Sequence, residues 1–168
     1  MRLLLRANAH RVAGPYCREV AASPDTDRPE PWRWHVRLHT GGRDDEDPPS
    51  PGTGRRVLRL TDGAALEAVT DPSAVTADVH VLGDGDNGSD RHGGGEQLVE
   101  RGPGDVVVLL AWGGTVVVEE RHTLAEGDAL VLAGDDDPLA VGVRREETAD
   151  CAVVRLGPAD GGALGWVP

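Results

Sequence analysis

Short runs of valine and leucine, each ended by a turn containing glycine, constrain the fold of this chain more than any other feature. The stretch "DVVVLLAWGGTVVVEERHTLAEGDALVL" is broken at Gly113-Gly114 and again at Gly127-Asp128. Apolar, β-branched runs of roughly four to eight residues between turn residues are typical of strands. Such strands recur along the chain at intervals of about 8 to 12 residues, which predicts an all-β sandwich or barrel.

The segment "WRWHVRLH", residues 32–39, alternates apolar and polar residues over its whole length. Alternation with a period of two places Trp32, Trp34, Val36 and Leu38 on one strand face, and Arg33, His35, Arg37 and His39 on the other. We interpret His35 and His39 as histidines on a solvated face. Four residues along a strand span about 13 Å, so these two imidazoles are too far apart to bind one metal ion together.

The segment "RRVLRLTDGAALEAV", residues 55–69, continues the pattern with a turn in its middle. Leu58 and Leu60 alternate with Arg59, and Asp62-Gly63 predicts a turn. The part "GAALEAV" is compatible with one or two turns of helix, although no segment longer than about ten residues shows a convincing helical period.

Two β-rich halves follow from the positions of the glycine-rich and polar stretches. We predict an N-terminal half over residues 1–82, a glycine-rich connection over 83–97, a C-terminal half over 98–157 and a tail over 158–168. The acidic stretch 41–54 lacks an apolar anchor and predicts an exposed loop.

Composition and charge narrow the class of protein. A chain of 168 residues with 39% apolar content can bury the core of one compact domain. Its net charge of -12 argues against binding to nucleic acid or to anionic membranes, which attract positive surfaces. Three leucines before Arg6 are too few for a signal peptide, and no apolar run approaches the roughly 18 residues of a membrane span. We therefore expect a cytoplasmic protein in which Cys17 and Cys151 are reduced thiols.

Metal and nucleophile motifs are largely missing from the sequence. "DGDNGSD" departs from a calcium loop at several ligand positions, and "HGGG" has no accompanying Gly-x-Ser-x-Gly elbow. The stretch "GTVVVEERHTLAEGDALVL" resembles the later part of a cupin barrel, but the chain contains no His-x-His pair of the kind that metal-binding cupins carry. His122 is therefore expected only to end a strand. We predict neither a metal site nor a cofactor.

Seven segments, taken in order, resemble the HutD/Ves family of two-cupin proteins over nearly the whole chain. They are "MRLLLRANAHR", "REVAASP", "WRWHVRL", "RRVLRLTDG", "ADVHVL", "LAEGDALVL" and "VVRLGP". The chain is a divergent relative by this comparison, since His80 and Leu82 stand where the family has Asn and Met. The resemblance implies an all-β bicupin, with two cupin-like barrel or sandwich halves in one compact domain. It also implies a metal-free protein linked to histidine utilisation that binds a small acidic metabolite without catalysis.

The ligand site implied by this resemblance consists of Arg18, Glu19, Arg56 and His80. Arg18, Arg56 and His80 would rim a cavity and hold a carboxylate through charge-assisted hydrogen bonds, while Glu19 accepts a donor group of the ligand. The alternative is structural: Arg18 and Glu19 form an ordinary ion pair, and Arg56 covers a barrel end.

A second functional hypothesis is a small metal-independent enzyme, an isomerase or a hydrolase. His80 would act as acid and base in it, together with Glu19 or Asp78. The sequence shows no nucleophile and base with diagnostic spacing, so we predict no catalytic residues and favour the binding role. A homodimer is possible, and the sequence predicts no other macromolecular partner.

Overall fold

The computed structural model describes residues 2–23, 33–41, 53–82, 96–134, 140–146 and 148–165. Regular structure in these ranges consists of fourteen strands and two short 3-10 helices, Ala7–Ala9 and Thr61–Gly63. The strands are β1 (Arg2–Leu5), β2 (Arg11–Gly14), β3 (Cys17–Ala22), β4 (Trp34–His39), β5 (Gly54–Arg59), β6 (Ala65–Thr70), β7 (Val75–Val81), β8 (Gln97–Glu100), β9 (Val106–Trp112), β10 (Val116–Val118), β11 (His122–Leu124), β12 (Ala129–Leu132), β13 (Ala140–Arg145) and β14 (Asp150–Pro158). The predicted all-β class is confirmed.

The strands form three antiparallel sheets. We call β2-β3-β4-β6-β5 the N-terminal sheet, β1-β12-β9-β14-β7 the central sheet and β11-β10-β13-β8 the C-terminal sheet. The central sheet combines β1 and β7 with β9, β12 and β14, so strands from early and late parts of the chain pair with each other. The half boundaries at 82 and 98 stay a prediction. The predicted loop 41–54 and connection 83–97 lie mostly outside the described residues.

The central sheet is buried on both faces, which explains the apolar run of β9. Alternate residues Val106, Val108 and Leu110 belong to a core cluster shared with the N-terminal sheet. The residues between them, Val107, Leu109 and Ala111, belong to a second cluster shared with the C-terminal sheet. A strand covered on both sides needs no polar residue at alternate positions.

The alternation of β4 is confirmed where the structure describes it. Trp34, Val36 and Leu38 lie in the core between the N-terminal and central sheets, whereas Trp32 lies outside the described residues. The helical alternative for "GAALEAV" is wrong. β6 pairs with β4 on one side and β5 on the other, and these ladders satisfy its backbone groups while Leu66 and Ala68 enter the core.

Turns fall where glycines predicted them. Asp62 and Gly63 have φ values of 60° and 75°, and Gly127 has a φ of 78° before β12. The expectation that His122 ends a strand is wrong, because it begins the short strand β11 and pairs with Val118 of β10. Among the described residues, no helix has the length and apolar character required to cross a bilayer.

Candidate functional site

The N-terminal sheet has a second face, directed away from the core, that is polar and nevertheless buried. Directly opposed residues of antiparallel strands share a face. The register opposes Glu19 of β3 to Arg37 of β4, and Arg37 to Glu67 of β6. We call this surface the polar face and define it by Glu19, His35, Arg37, His39, Arg55 and Glu67.

The prediction that His35 and His39 are solvated is wrong. Each residue is only 8% exposed, and Glu67 is 4% exposed. Alternation in the sequence assigns these side chains to one face of β4, but it does not reveal whether that face is covered. The burial of charged and imidazole groups together marks the polar face as the candidate site.

Glu67 lies at the centre of the polar face and accepts hydrogen bonds from His39 and Arg55. Its Oε2 lies 2.9 Å from His39 Nε2, and its Oε1 lies 2.5 Å from Arg55 Nε. Burial acts to raise the pKa of Glu67, but the hydrogen bonds and charges of His39 and Arg55 outweigh it and lower the pKa to about 2. Glu67 is therefore ionised at neutral pH, and His39 donates its Nε2 hydrogen to it.

His35 is a neutral imidazole in the same face. Burial lowers its pKa first, the nearby Arg37 guanidinium lowers it further, and Glu67 opposes both, which leaves the pKa at about 4. A histidine with this pKa carries no charge at pH 7 and can both donate and accept a hydrogen bond.

Arg37 contributes a half-buried cation between Glu19 on one neighbouring strand and Glu67 on the other. Its Nε atom is fully buried and, within the described ranges, has no hydrogen-bond acceptor. Leaving a buried donor without an acceptor costs about 1 to 3 kcal/mol, and more for a charged group. An oxyanion that approached Arg37 would supply this acceptor.

The structure places the four sequence-predicted ligand residues on three different surfaces. Arg18 is opposite Leu38 and Arg56 is opposite Ala68, so both share the core-side face of the N-terminal sheet, where both are exposed. Three strand spacings, about 14 Å, separate them across the sheet, and the register also offsets them by two residues along the strands. Glu19 lies on the polar face and pairs with Arg11 at 3.7 Å.

His80 lies apart from the other three predicted residues. It is on β7, an edge strand of the central sheet, and is opposed to Val153. Val153 belongs to the core shared with the C-terminal sheet, so His80 faces away from the N-terminal sheet. Of the four residues, only Glu19 contributes to the polar face.

The functional residues that sequence reasoning missed had a detectable signal. Glu67 is a single acid inside the apolar run "AALEAV", which favours a buried and paired carboxylate. All 17 basic residues of the chain are arginines, so neither Arg55 nor Arg37 stands out in the sequence as a functional residue. In the described part of the chain, no group of three or more His, Cys, Asp or Glu side chains has an arrangement suited to a metal ion.

Comparison with known proteins identifies the architecture. No family model matches the sequence, and no curated protein matches it significantly. The structure of HutD from Pseudomonas fluorescens SBW25, in a formate condition, matches with a TM-score of 0.66 and 16% identity, over 94% of this chain and 99% of that one. The chain has the HutD fold.

A second structure supports the same fold. The conserved protein of unknown function PA5104 from Pseudomonas aeruginosa PAO1 matches with a TM-score of 0.62 and 17% identity, over 94% of this chain and 99% of that one. The HutD fold confirms the two-cupin architecture that the sequence resemblance implied. At these identities the likeness establishes the fold alone, so roles for individual residues rest on the geometry of this chain.

Proposed function

We propose that this HutD-like bicupin binds a small organic acid at the polar face and does not catalyse a reaction on it. The observation that carries the proposal is the half-buried Arg37, whose Nε has no acceptor in the described residues. A ligand carboxylate would accept charge-assisted hydrogen bonds from this guanidinium. Glu19, opposite Arg37 in the register, would accept a donor group of the same ligand.

Binding without turnover agrees with the pKa values of the ionisable side chains on the polar face. An efficient general acid or base has a pKa near the working pH. The pKa of Glu67 is lowered to about 2 and that of His35 to about 4. At pH 7 these groups provide fixed hydrogen-bonding positions and are poor proton carriers.

The HutD fold supports a choice of ligands for testing. One HutD structure is named for a formate condition, and formate is the smallest carboxylate. We propose that the ligand belongs to histidine utilisation, with urocanate and N-formylglutamate as the first candidates. The chain's net charge of -12 continues to argue for a small molecule over nucleic acid as the partner.

Calorimetric titration of formate, urocanate and N-formylglutamate into the protein tests this proposal. The wild type is expected to bind at least one of them, and R37Q to weaken that binding about tenfold to a hundredfold, the effect of removing a charged hydrogen-bond donor. R144Q, at an exposed position of β13, is the matched control and is expected to bind as the wild type does.

The variant R56Q separates the polar face from the site implied by the sequence resemblance. A loss of affinity in R56Q but not in R37Q would move the site to the rim that carries Arg18 and Arg56. The absence of binding heat with all three acids would overturn the proposal, provided that circular dichroism shows the wild type to be folded.

A further inference from the structure

An acid and a base lie side by side at the edge of the central sheet, away from the polar face. Asp78 and His80 are two residues apart on β7 and therefore share a strand face. The register opposes His80 to Val153 and Asp78 to Arg155 of β14. Because Val153 belongs to the core shared with the C-terminal sheet, this face is directed toward that sheet, and the polar face lies on another layer.

Asp78 orients the imidazole of His80. The Nδ1 atom of His80 lies 3.0 Å from Asp78 Oδ2, with 44% of the histidine side chain and 66% of the aspartate side chain exposed. An ionised carboxylate accepts the Nδ1 hydrogen, which leaves the lone pair on Nε2. Within the described ranges no hydrogen bond engages Nε2, so this nitrogen is available to water or to a ligand.

Arg155 adds a fixed cation to the pair. Its Nη2 donates to the backbone carbonyl oxygen of Glu100 in β8, which ties the guanidinium to the C-terminal sheet. Its Nε is buried and has no acceptor among the described residues. The cluster therefore combines an oriented base, its carboxylate and a guanidinium that attracts an anionic group.

We propose that Asp78, His80 and Arg155 form a second site, which hydrolyses small anionic esters. The half-exposed ring favours hydrolysis over proton abstraction from carbon, because water reaches Nε2 and is itself the co-substrate. This site goes beyond the ligand binding proposed for the polar face and does not depend on it.

The reaction needs only water and the ester. His80 Nε2 takes a proton from water as the water oxygen bonds to the carbonyl carbon, and the carbonyl π electrons move to its oxygen. When this intermediate collapses, the carbon–oxygen bond to the alcohol breaks, and His80 returns its proton to the departing alkoxide. Asp78 holds the tautomer in which Nε2 is the base, and Arg155 holds the anionic group of the ester.

Hydrolysis of 4-acetoxybenzoate, followed by the release of 4-hydroxybenzoate, tests the proposal, with uncharged 4-nitrophenyl acetate as the second substrate. The wild type is expected to exceed H80Q by at least about tenfold, since general acid and base catalysis contributes roughly a hundredfold or more. R155Q is expected to slow the anionic ester and to leave the uncharged one nearly unchanged.

His122 provides the matched control. It is a partly buried histidine at the start of β11, with no hydrogen bond to an acid in the described residues, and H122Q should hydrolyse both esters at the wild-type rate. D78N should lose activity and shift the ring hydrogen of His80 toward Nε2, visible in nitrogen-15 NMR. Equal rates for wild type, H80Q and H122Q, or a wild-type rate no faster than buffer, would overturn the proposal.

Discussion

His39 and Glu67 form a hydrogen-bonded pair inside the N-terminal sheet, with His39 Nε2 2.9 Å from Glu67 Oε2 and only 10% and 5% of the two side chains exposed. A buried carboxylate is tolerated only when such partners compensate for its lost hydration. Arg55 supplies the second partner. The pair therefore links the stability of the sheet to the protonation of Glu67.

The free energy of unfolding should fall as the pH is lowered from about 4.5 to about 2. The pKa of Glu67 is near 4.5 in the unfolded chain and is lowered to about 2 in the folded one. The stabilisation is complete above pH 4.5 and is lost as the pH falls through the folded pKa. It amounts to about 3 kcal/mol at most.

Urea denaturation of wild type and E67Q at several pH values measures this effect. E67Q should unfold more easily at pH 7, and its stability should vary less between pH 4.5 and 2.5 than that of the wild type. Other carboxylates with lowered pKa, such as Asp128, contribute equally to both proteins and cancel in the difference. Parallel pH profiles would contradict the assignment of the pKa to Glu67.

His35 should titrate at an unusually low pH. Burial, followed by the charge of Arg37, lowers its pKa to about 4 from an ordinary 6.5. The unfolded chain therefore binds this proton first, and stability should decline as the pH falls from 6.5 toward 4. The proton NMR signal of the His35 ring should shift with a midpoint near pH 4, and a midpoint near 6.5 would show that the side chain is hydrated.

The sequence predicts which face of β4 each residue occupies, but not what covers the polar one. Alternation is a local property of the strand, so it assigns Trp34 and Val36 to one face of β4 and His35 and His39 to the other. The burial of His35 and His39 depends on packing against the rest of the chain, which no local pattern encodes. The all-β class could be predicted because it follows from local patterns of apolar and turn residues along the chain.

The sequence also could not predict that Arg56 and His80 lie on different sheets. Arg56 and His80 lie in two of the segments that resemble the family, "RRVLRLTDG" and "ADVHVL", but they belong to different sheets. Side-chain direction on a strand reverses at every residue, so a site requires correct strand pairing in addition to correct strands. The pairing of β7 with β14 sets the direction of His80 and is a long-range contact.

Core packing between the N-terminal and central sheets should dominate stability. Leu66 is 0% exposed and lies in that cluster, whereas Leu98 is 66% exposed on β8. L66A should lower the free energy of unfolding by about 2 to 5 kcal/mol, because it removes buried methyl groups and leaves a cavity. L98A, the same chemical change at the surface, should alter it by less than about 0.5 kcal/mol. Equal effects in urea denaturation would contradict the described layering.

The two cysteines should differ sharply in reactivity. Both are thiols, with Cys17 partly exposed and Cys151 buried. Burial raises the pKa of Cys151 to about 12, with Arg145 opposing and Asp150 adding to the shift. At pH 8 only roughly one Cys151 thiol in ten thousand is then the nucleophilic thiolate, and it lies inside the core.

Iodoacetamide should label the folded protein once, at Cys17, and label Cys151 only in urea. In C17S the folded protein should remain unlabelled on the same timescale. Rapid labelling of Cys151 in folded C17S, measured by mass spectrometry, would show that the core between the central and C-terminal sheets opens far more readily than its packing implies.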